Sequence, residues 1–403
     1  MRIAHYPGTF LPTIGGVELI VHNLAENQAS KGNIVYIYAN PRSKNYILNN
    51  KLNQFYKIRS PIKYSFGLSK IINKCIPFSN PFINKQIEDF QNEFNFDIWH
   101  FNYLTINSFI ILNKLNQMNI PTVLTFRGAD IQLSKKYNYG KRLKSSFDLL
   151  VKKNINKCSL LTATSNSVID EYKKLGVKSS KISLIPNFVN VKKFQSTNRK
   201  KFIQKFRDDY NLSDNKKIIL TVGRNHPKKG YDLIPSIIKE LLLLRNDFVW
   251  VLIGKNCKII IDQAKELGVD KNLINIGEIG GVANDLDVPS KELIDFYNIA
   301  DIFCFPTRLE TFGNVFLEAM ASSLPIITTN APGAKDNVYH NRNGLIVEID
   351  DISGFAKSID KLFNNKNLSE KLINNGMNQV KNYDLEKVSS DYLKIYSEVI
   401  NNE

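Results

Sequence analysis

Short apolar runs recur along this 403-residue chain, and most are separated by a segment long enough to form a helix. In the first half these runs are RIAHY, NIVYIYA, FDIWHF, PTVLTF, SLLTAT and KISLIP. In the second half they are KIILTV, FVWVLIG, LINIG, DIFCF, PIITT and GLIVEI. Strands joined by crossover helices pair in parallel, with helices on both faces of the sheet. The pattern therefore predicts an α/β protein built on parallel sheets.

The two series of strands predict two domains. A polar stretch without a strand pattern separates them near residues 190–215, and 403 residues exceed what one ordinary hydrophobic core organises. We predict two doubly wound, Rossmann-like domains, residues 1–195 and 196–383, that face a central cleft. A final helix within residues 384–403 is expected to pack back on the first domain.

Positive charge is concentrated in the first half of the chain. Residues 1–200 hold 29 Lys and Arg against 10 Asp and Glu, whereas residues 201–403 hold 25 against 28. A basic face attracts anionic lipid, nucleic acid or a negatively charged substrate. Segments 56–85 and 135–157 also mix cations with aromatic and aliphatic residues, as a membrane interface does. A solvated basic face over an ordinary core explains these segments equally well.

The cysteines and the N-terminus bear on the compartment. Cys75, Cys158, Cys257 and Cys304 are far apart and form no Cys-x-x-Cys pair, so neither a zinc site nor a disulfide framework is expected. The sequence MRIAHYPGTF lacks the apolar core of a signal peptide, and no uninterrupted apolar run of about 18 residues occurs. We expect a cytoplasmic protein, with peripheral contact at the inner face of the cell membrane as an open possibility.

A loop after the strand KIILTV places two cations close together. Arg224 and Lys229 lie in GRNHPKKGYDLI, just before a predicted helix. Side-chain charge and the free N–H groups of a helix N-terminus together form an anion site, and phosphate is the ligand that this arrangement suggests. The alternative is that both are solvated loop cations.

The stretch RLETFGNVFLEAM places two glutamates on either side of a glycine break. Glu310 lies in the loop after the strand DIFCF, and Glu318 lies about one turn inside the helix that follows Gly313 and Asn314. The helix N-terminus between them suits an anion, while the carboxylates suit neutral hydroxyls. A nucleotide-sugar has this order of hydroxyls, diphosphate and hydroxyls. Alternatively, Glu318 is an ordinary acid in a first helical turn.

Several motifs together carry a resemblance to a known family. In chain order they are GGVE, TSNSVIDEYKKLG, IPNFVN, VGRNHPKKGYDLI, ADIFCFPTRLETFGNVFLEAMASSLPIITTN and NGLIV. The chain closely resembles, over nearly its whole length, the retaining, nucleotide-sugar-dependent glycosyltransferases of the glycogen-synthase-like group one family, which have the GT-B fold. The specific part of the match is the glutamate pair with seven residues between, combined with an upstream Arg and Lys five positions apart.

The resemblance implies a donor site in residues 196–383. Arg224 and Lys229 would hold the donor diphosphate, and Glu310 would contact hydroxyls of the transferred sugar; these three are the predicted catalytic residues. Glu318 would bind the ribose hydroxyls. The remaining predicted donor-binding residues of this domain are Gly223, Thr311, Phe312, Gly313, Asn314 and Val315. Gly16, in the first domain, is also predicted to contact the donor.

The resemblance also implies an acceptor or sugar pocket in residues 1–195. Gly15 and Gly16 correspond to a glycine loop where the backbone approaches the substrate, although a plain turn before a helix is the alternative. Many family members carry a histidine where this chain has Arg127, and a guanidinium there favours an anionic sugar, an acceptor phosphate or a donor phosphate. His100 is a second candidate, with a buried structural histidine as its alternative.

The expected chemistry follows from the family. Departure of the nucleoside diphosphate would be stabilised by the cations and the helix N-terminus, so no metal and no cofactor are expected. Retention is expected through front-face displacement, because no carboxylate stands out as a nucleophile. The triplet Asp285-Leu286-Asp287 is assigned to loop and cap chemistry instead of a metal site.

The expected function is that of a retaining glycosyltransferase, with a nucleotide-sugar donor and a glycan or lipid-linked acceptor of bacterial polysaccharide or lipopolysaccharide biosynthesis. One alternative is a nonhydrolysing nucleotide-sugar epimerase of the same fold. The other is a basic nucleic-acid-binding protein, but no motif of that class is present, so nucleic acid is not an expected partner. The donor sugar, the acceptor and the linkage are not specified by these motifs.

Overall fold

The computed structural model describes residues 1–13, 15–50, 55–60, 80–195, 199–279 and 290–402. Cys75, the triplet Asp285 to Asp287 and most of segment 56–85 lie outside these residues. The chain divides into two compact units. The first comprises Met1–Asn187 and Leu385–Glu403, and the second comprises Phe188–Asp384.

The described residues of the first unit form a parallel sheet of seven strands. They are β1 (Arg2–Tyr6), β2 (Ile34–Tyr38), β3 (Lys57–Arg59), β4 (Ile98–Asn102), β5 (Thr122–Thr125), β6 (Leu160–Ala163) and β7 (Ile182–Leu184). Their order is β3-β2-β1-β4-β5-β6-β7, so the chain starts at the centre, runs to one edge and then crosses to the other side of β1. The order reverses between β1 and β4, the position at which ligands bind in open α/β sheets.

Helices cover this sheet, and several of the residues that cap them are of the usual types. They are α1 (Gly16–Ser30), α2 (Pro41–Asn50), α3 (Pro81–Phe94), α4 (Ile106–Gln117), α5 (Ser145–Asn154) and α6 (Asn166–Lys174). The Asn80 side chain caps α3 by accepting hydrogen bonds from two backbone N–H groups, and Pro81 occupies the first position. On β4, the fully buried Trp99 donates its indole N–H to Gln91 of α3 at 2.8 Å. This pair satisfies a polar group inside the core.

The described residues of the second unit form a six-stranded parallel sheet. The strands are β8 (Lys217–Val222), β9 (Phe248–Ile253), β10 (Leu273–Gly277), β11 (Ile302–Phe305), β12 (Ile326–Thr329) and β13 (Leu345–Val347). Their order is β10-β9-β8-β11-β12-β13, which again reverses beside the first strand. The helices are α7 (Val191–Phe194), α8 (Arg199–Asp209), α9 (Ile234–Leu241), α10 (Lys258–Glu266), α11 (Lys291–Ile299), α12 (Asn314–Ala321), α13 (Ile352–Asn364) and α14 (Lys366–Val380). The predicted fold class, two doubly wound Rossmann-like units, is confirmed.

The last helix, α15 (Leu385–Asn402), packs on the first unit. Its Tyr396 hydroxyl lies 2.5 Å from Nδ1 of His100, which is fully buried at the centre of the first sheet. Near the start of α15, Glu386 accepts a hydrogen bond from Asn27 of α1 at 2.7 Å. These contacts join the two ends of the chain into one core. Within the described residues, no helix is both long enough and apolar enough to cross a membrane.

Candidate functional site

Two loops at the carboxyl ends of β8 and β11 carry most of the predicted donor residues. The two strands are neighbours in the sheet, so the loops that follow them meet. The carbonyl oxygen of Lys228 in the first loop accepts hydrogen bonds from the backbone N–H groups of Arg308, at 2.7 Å, and Leu309, at 3.2 Å, in the second. The loops therefore form one surface held together by main-chain bonds.

An ion pair between Lys229 and Glu310 lies at the centre of this surface. The Glu310 carboxylate is buried and also accepts a hydrogen bond from the Thr307 hydroxyl at 3.3 Å. Burial favours the neutral acid, but the positive charges of Lys229 and Lys228 hold the pKa of Glu310 below its ordinary value. Glu310 is therefore ionised at neutral pH and acts only as a hydrogen-bond acceptor.

Lys228 was not predicted as a site residue, although it adds charge to the same place. Its side chain is buried, and burial lowers its pKa to about 8, with the neighbouring Lys229 and Arg224 lowering it further and Glu310 opposing them. The short helical turn Pro227–Lys229 places the two lysines, and the His226 ring caps that turn by accepting from the Lys228 N–H at 3.2 Å. The consecutive lysines of the loop were the available sequence signal.

Arg224 lies at the end of β8 with an exposed side chain. It forms no hydrogen bond or ion pair with any residue that the structure describes. The preceding residue, Gly223, is fixed because its carbonyl oxygen accepts a hydrogen bond from the buried Tyr231 hydroxyl at 2.7 Å. A rigid attachment and an exposed guanidinium leave Arg224 available to an anion from solution.

Arg308 clamps the two loops, a role that the sequence did not suggest. Both terminal nitrogens lie 2.7 Å from the Asp232 carboxylate, and Nε lies 2.5 Å from Asp350. One of the terminal nitrogens also donates to the Pro227 carbonyl oxygen at 2.7 Å. Planar, two-point pairing of this kind fixes orientation as well as distance.

The backbone around Glu310 requires two glycines, one in the turn before α12 and one in the loop after β12. Gly313, the residue before the helix, has φ of +83°, and a Cβ there would lie 2.6 Å from the Phe316 ring. Gly333, in the loop after β12, has φ of +79°, and its Cβ would lie 2.1 Å from the Glu310 carbonyl oxygen. In the same loop, the Pro332 carbonyl oxygen accepts a hydrogen bond from the Glu310 N–H at 2.9 Å. The backbone under the carboxylate is thus held on both sides.

The rest of this turn forms the start of α12. Thr311 and Phe312 are buried, whereas Asn314 and Val315, the first two helical residues, are partly exposed. The Phe312 carbonyl oxygen accepts a hydrogen bond from the buried Asn337 side chain at 2.5 Å.

Glu318 lies one turn inside α12 and is held by Tyr297 of α11, whose hydroxyl donates to its carboxylate at 2.7 Å. Burial raises the pKa of Glu318 to about 7, and the hydrogen bond from Tyr297 opposes that rise. The two glutamates therefore have different environments: Glu310 is paired with cations, while Glu318 is paired with a neutral hydroxyl. Tyr297 was not predicted as a site residue, because its role depends on the packing of α11 against α12.

In the first unit, Arg127 is buried after β5. Its guanidinium donates to Asn102 at 2.6 Å and to Asn187 at 2.6 Å, and lies 3.5 Å from the Tyr392 hydroxyl. These partners are neutral, and no carboxylate pairs with this guanidinium among the described residues. The positive charge of Arg127 is therefore buried without a counter-charge, which is costly unless an anion approaches.

His100 and the glycine loop are the other predicted pocket residues of the first unit. His100 has no exposed surface, and its two ring nitrogens bond to Tyr396 and to Thr125, at 2.7 Å for the latter. This geometry fits the structural alternative and provides no open face for a substrate. Gly15 caps α1 in an extended conformation, and Gly16 is the first helical residue.

Comparisons with known proteins agree with this arrangement. The family model described as glycosyl transferases group 1 matches residues 202–379, and that described as glycosyltransferase family 4 matches residues 14–193. The capsular polysaccharide biosynthesis glycosyltransferase CapM of Staphylococcus aureus is 31% identical over 270 residues, which cover 64% of this chain and 65% of CapM. The N-acetyl-alpha-D-glucosaminyl L-malate synthase of Bacillus anthracis is 23% identical over 402 residues, covering 97% of this chain and 96% of that protein.

A solved structure shares the fold. Anabaena HepE, crystallised in complex with UDP and glucose, matches with a TM-score of 0.74 over 99% of this chain and 100% of that chain. The sequence identity is 16%, so this match bears on the fold alone.

The contact between Gly333 and Glu310 generates a prediction with a matched control. The control is Gly268→Ala. Gly268 has φ of +69°, and no atom lies within 4 Å of the position of the new Cβ, so alanine there strains only the left-handed backbone. We expect that variant to lose about 1–2 kcal/mol of unfolding free energy. Gly333→Ala should lose about 1–3 kcal/mol more, because its Cβ collides with the Glu310 backbone. Urea denaturation measures both, and equal losses would contradict the contact.

Proposed function

Since the chain belongs to the group 1 glycosyltransferases of the GT-B fold, we propose that it transfers a sugar from a nucleotide-sugar donor to an acceptor hydroxyl with retention of configuration. The observation that carries this proposal is the Lys229–Glu310 pair on the surface formed by the β8 and β11 loops. CapM, named for capsular polysaccharide biosynthesis, supports a glycan or lipid-linked acceptor in the synthesis of a bacterial polysaccharide. The nucleotide-sugar donor is proposed by analogy with HepE, which shares the fold and was crystallised with UDP and glucose.

The donor diphosphate would bind between the two loops. Lys229 has three N–H donors, so it can keep its contact with Glu310 and also donate to a phosphate oxygen. Arg224 is exposed and without a partner among the described residues, and its planar guanidinium suits phosphate. The N-terminus of α12, which begins after Gly313, adds the positive end of a helix dipole. These groups supply positive potential where the charge of the leaving group develops.

The two glutamates would position the neutral parts of the donor. Glu310 is ionised and accepts hydrogen bonds from hydroxyls of the transferred sugar. Glu318 accepts from the ribose hydroxyls, with Tyr297 holding one of its oxygens in place. This division assigns positioning to the carboxylates and charge stabilisation to the cations.

The proposed reaction is a front-face displacement. The bond from the anomeric carbon to the phosphate oxygen breaks, the acceptor oxygen bonds to that carbon on the same face, and the acceptor proton passes to the departing phosphate. Glu310 is a poor nucleophile because Lys229 neutralises it, which disfavours a covalent intermediate on this residue. Preplaced cations make a metal ion unnecessary for this step. Inversion at the anomeric carbon, detected by NMR of the product, would contradict the mechanism.

The epimerase alternative has no support, because the matched family models and relatives are glycosyltransferases. The same matches leave the nucleic-acid-binding alternative unsupported.

Peripheral contact with the inner face of the cell membrane remains part of the proposal. In segment 135–157, Lys144, Lys153 and Leu149 are exposed, which places cations beside apolar surface. Sedimentation with anionic vesicles at low salt tests this contact, and equal binding to neutral vesicles would contradict an electrostatic anchor.

Measurement of donor binding tests the proposed function. Thermal-shift measurements with UDP-, GDP-, ADP- and TDP-sugars should show stabilisation by one nucleotide class. Lys229→Ala and Glu318→Ala should each weaken this binding by about tenfold or more, because each removes a hydrogen-bonding group inside the site. Lys239→Ala, which changes an exposed lysine of α9, should bind as the wild type does. Absence of a shift with every nucleotide-sugar would overturn the proposal.

The environment of Glu318 predicts how donor affinity depends on pH. The ionised carboxylate accepts both ribose hydroxyls, and its pKa in the free protein is about 7. Donor affinity should therefore increase as the pH rises through about 7, and fall by up to about tenfold per unit below it, because binding then requires loss of a proton. Calorimetric titrations across this range measure the effect. Glu318→Gln should flatten the profile, and an unchanged profile in that variant would exclude Glu318 as its source.

A further inference from the structure

The first unit contains a cavity of about 820 Å³ at the carboxyl ends of β1 and β2. This volume lies in the range of sites that enclose a small molecule. Its walls are largely apolar and include Tyr6, Phe10, Ile83, Ile111, Phe147 and Leu150. An apolar chain would lose water-exposed surface by entering it.

Two lysines give the cavity a charge. Lys141 and Lys144 are among its described lining residues, and no Asp or Glu is among them. Lys141 is held in place, because its Nζ donates to the Leu104 carbonyl oxygen at 2.8 Å and lies 3.9 Å from the centroid of the Tyr103 ring. The buried carboxylate of Asp130, which does not line the cavity, interacts with the charge of Lys141 and partly offsets it. The side chain of Lys144 is exposed and forms no hydrogen bond or ion pair within the described residues. The lining thus combines an apolar interior with positive charge.

The cavity adjoins the predicted glycine loop. Thr9 lines the cavity, and its hydroxyl donates to Glu18 at 2.8 Å. Glu18 lies in the first turn of α1, the helix that Gly16 begins. A molecule in the cavity would therefore lie next to the segment that the family resemblance assigns to the acceptor.

Apolar side chains remain exposed around this part of the unit. Ile106 lines the cavity and is half exposed. Phe82 and Leu149 are also half exposed, and each is adjacent in sequence to a residue of the cavity wall, Ile83 and Leu150. Exposed apolar residues beside lysines suit contact with an amphiphile.

We propose that this cavity binds the hydrocarbon chain of a lipid phosphate, with Lys144 and Lys141 supplying the charge that its phosphate head requires. The role of that lipid as the acceptor's carrier rests on the proposed glycosyltransferase function. A neutral lipid leaves Lys144 without an anion, and free phosphate leaves the apolar walls unused. A molecule with both parts matches the whole lining.

Farnesyl phosphate is a suitable probe, with farnesol and inorganic phosphate as its two halves. Isothermal titration calorimetry of the full chain below the aggregation concentration of the probe should give saturable binding of farnesyl phosphate. Farnesol should bind about tenfold more weakly, because it lacks the charge-assisted contacts, and phosphate alone should bind more weakly still.

Matched variants locate the binding. Lys144→Glu should weaken farnesyl phosphate binding by about tenfold and leave farnesol binding unchanged. Ser146→Trp adds bulk at an exposed lining position and should weaken both. The controls, Lys153→Glu and Ser180→Trp, change exposed residues of the same unit that do not line the cavity, and both should bind as the wild type does.

Any of the following results would overturn the inference. Absence of binding, or binding that Ser146→Trp leaves unchanged, excludes the cavity as the site. Equal affinity for farnesol and farnesyl phosphate, or equal effects of Lys144→Glu and Lys153→Glu, excludes a specific role for the lysine. Nucleotide-sugar binding is scored separately in the same preparations. Donor binding without lipid binding contradicts only this inference. Lipid binding without donor binding contradicts the proposed transfer reaction.

Discussion

The ion pair between Lys229 and Glu310 is the interaction on which the rest of the site depends. A buried carboxylate is costly unless a cation and hydrogen bonds compensate it. Here Lys229 and Thr307 provide those contacts, and the second lysine, Lys228, adds positive charge nearby. The Arg308 clamp and the close approach of Gly333 hold the supporting backbone in place. The result is a fixed negative group for hydroxyls beside a fixed positive group for phosphate.

The fold, and the grouping of the predicted donor residues in neighbouring loops, were accessible from sequence because they follow from local patterns. Short apolar runs mark buried strands, and the loops after neighbouring parallel strands meet, so Arg224, Lys229 and Glu310 fall at one end of one sheet. Tyr297 was not accessible, because it meets Glu318 only when α11 packs against α12. The same limit applies to Gly333, whose requirement for glycine arises from the Glu310 backbone of another loop. For His100, the motif gave a position on β4 but not the contacts with Tyr396 and Thr125 that bury it.

The two units carry different kinds of charge. In the second unit, cations and acids alternate within one site, and the overall charge of residues 201–403 is close to neutral. In the first unit, positive charge is in excess, and neither the buried guanidinium of Arg127 nor the side chain of Lys144 in the cavity forms an ion pair among the described residues. A protein that binds an anionic lipid through one unit and a nucleotide-sugar through the other would have this distribution.

The most direct test of the ion pair is the affinity of the Glu310→Gln variant for nucleoside diphosphates, measured by calorimetry with UDP, GDP and ADP. Glutamine keeps the shape of the side chain and removes its charge, so Lys229 becomes free to pair with phosphate. If Lys229 serves the diphosphate, the preferred nucleotide should bind about threefold to tenfold more tightly while sugar transfer falls. Glu266→Gln, an exposed acid of the same unit, controls for net charge. Unchanged or weaker nucleotide binding in Glu310→Gln would contradict this role.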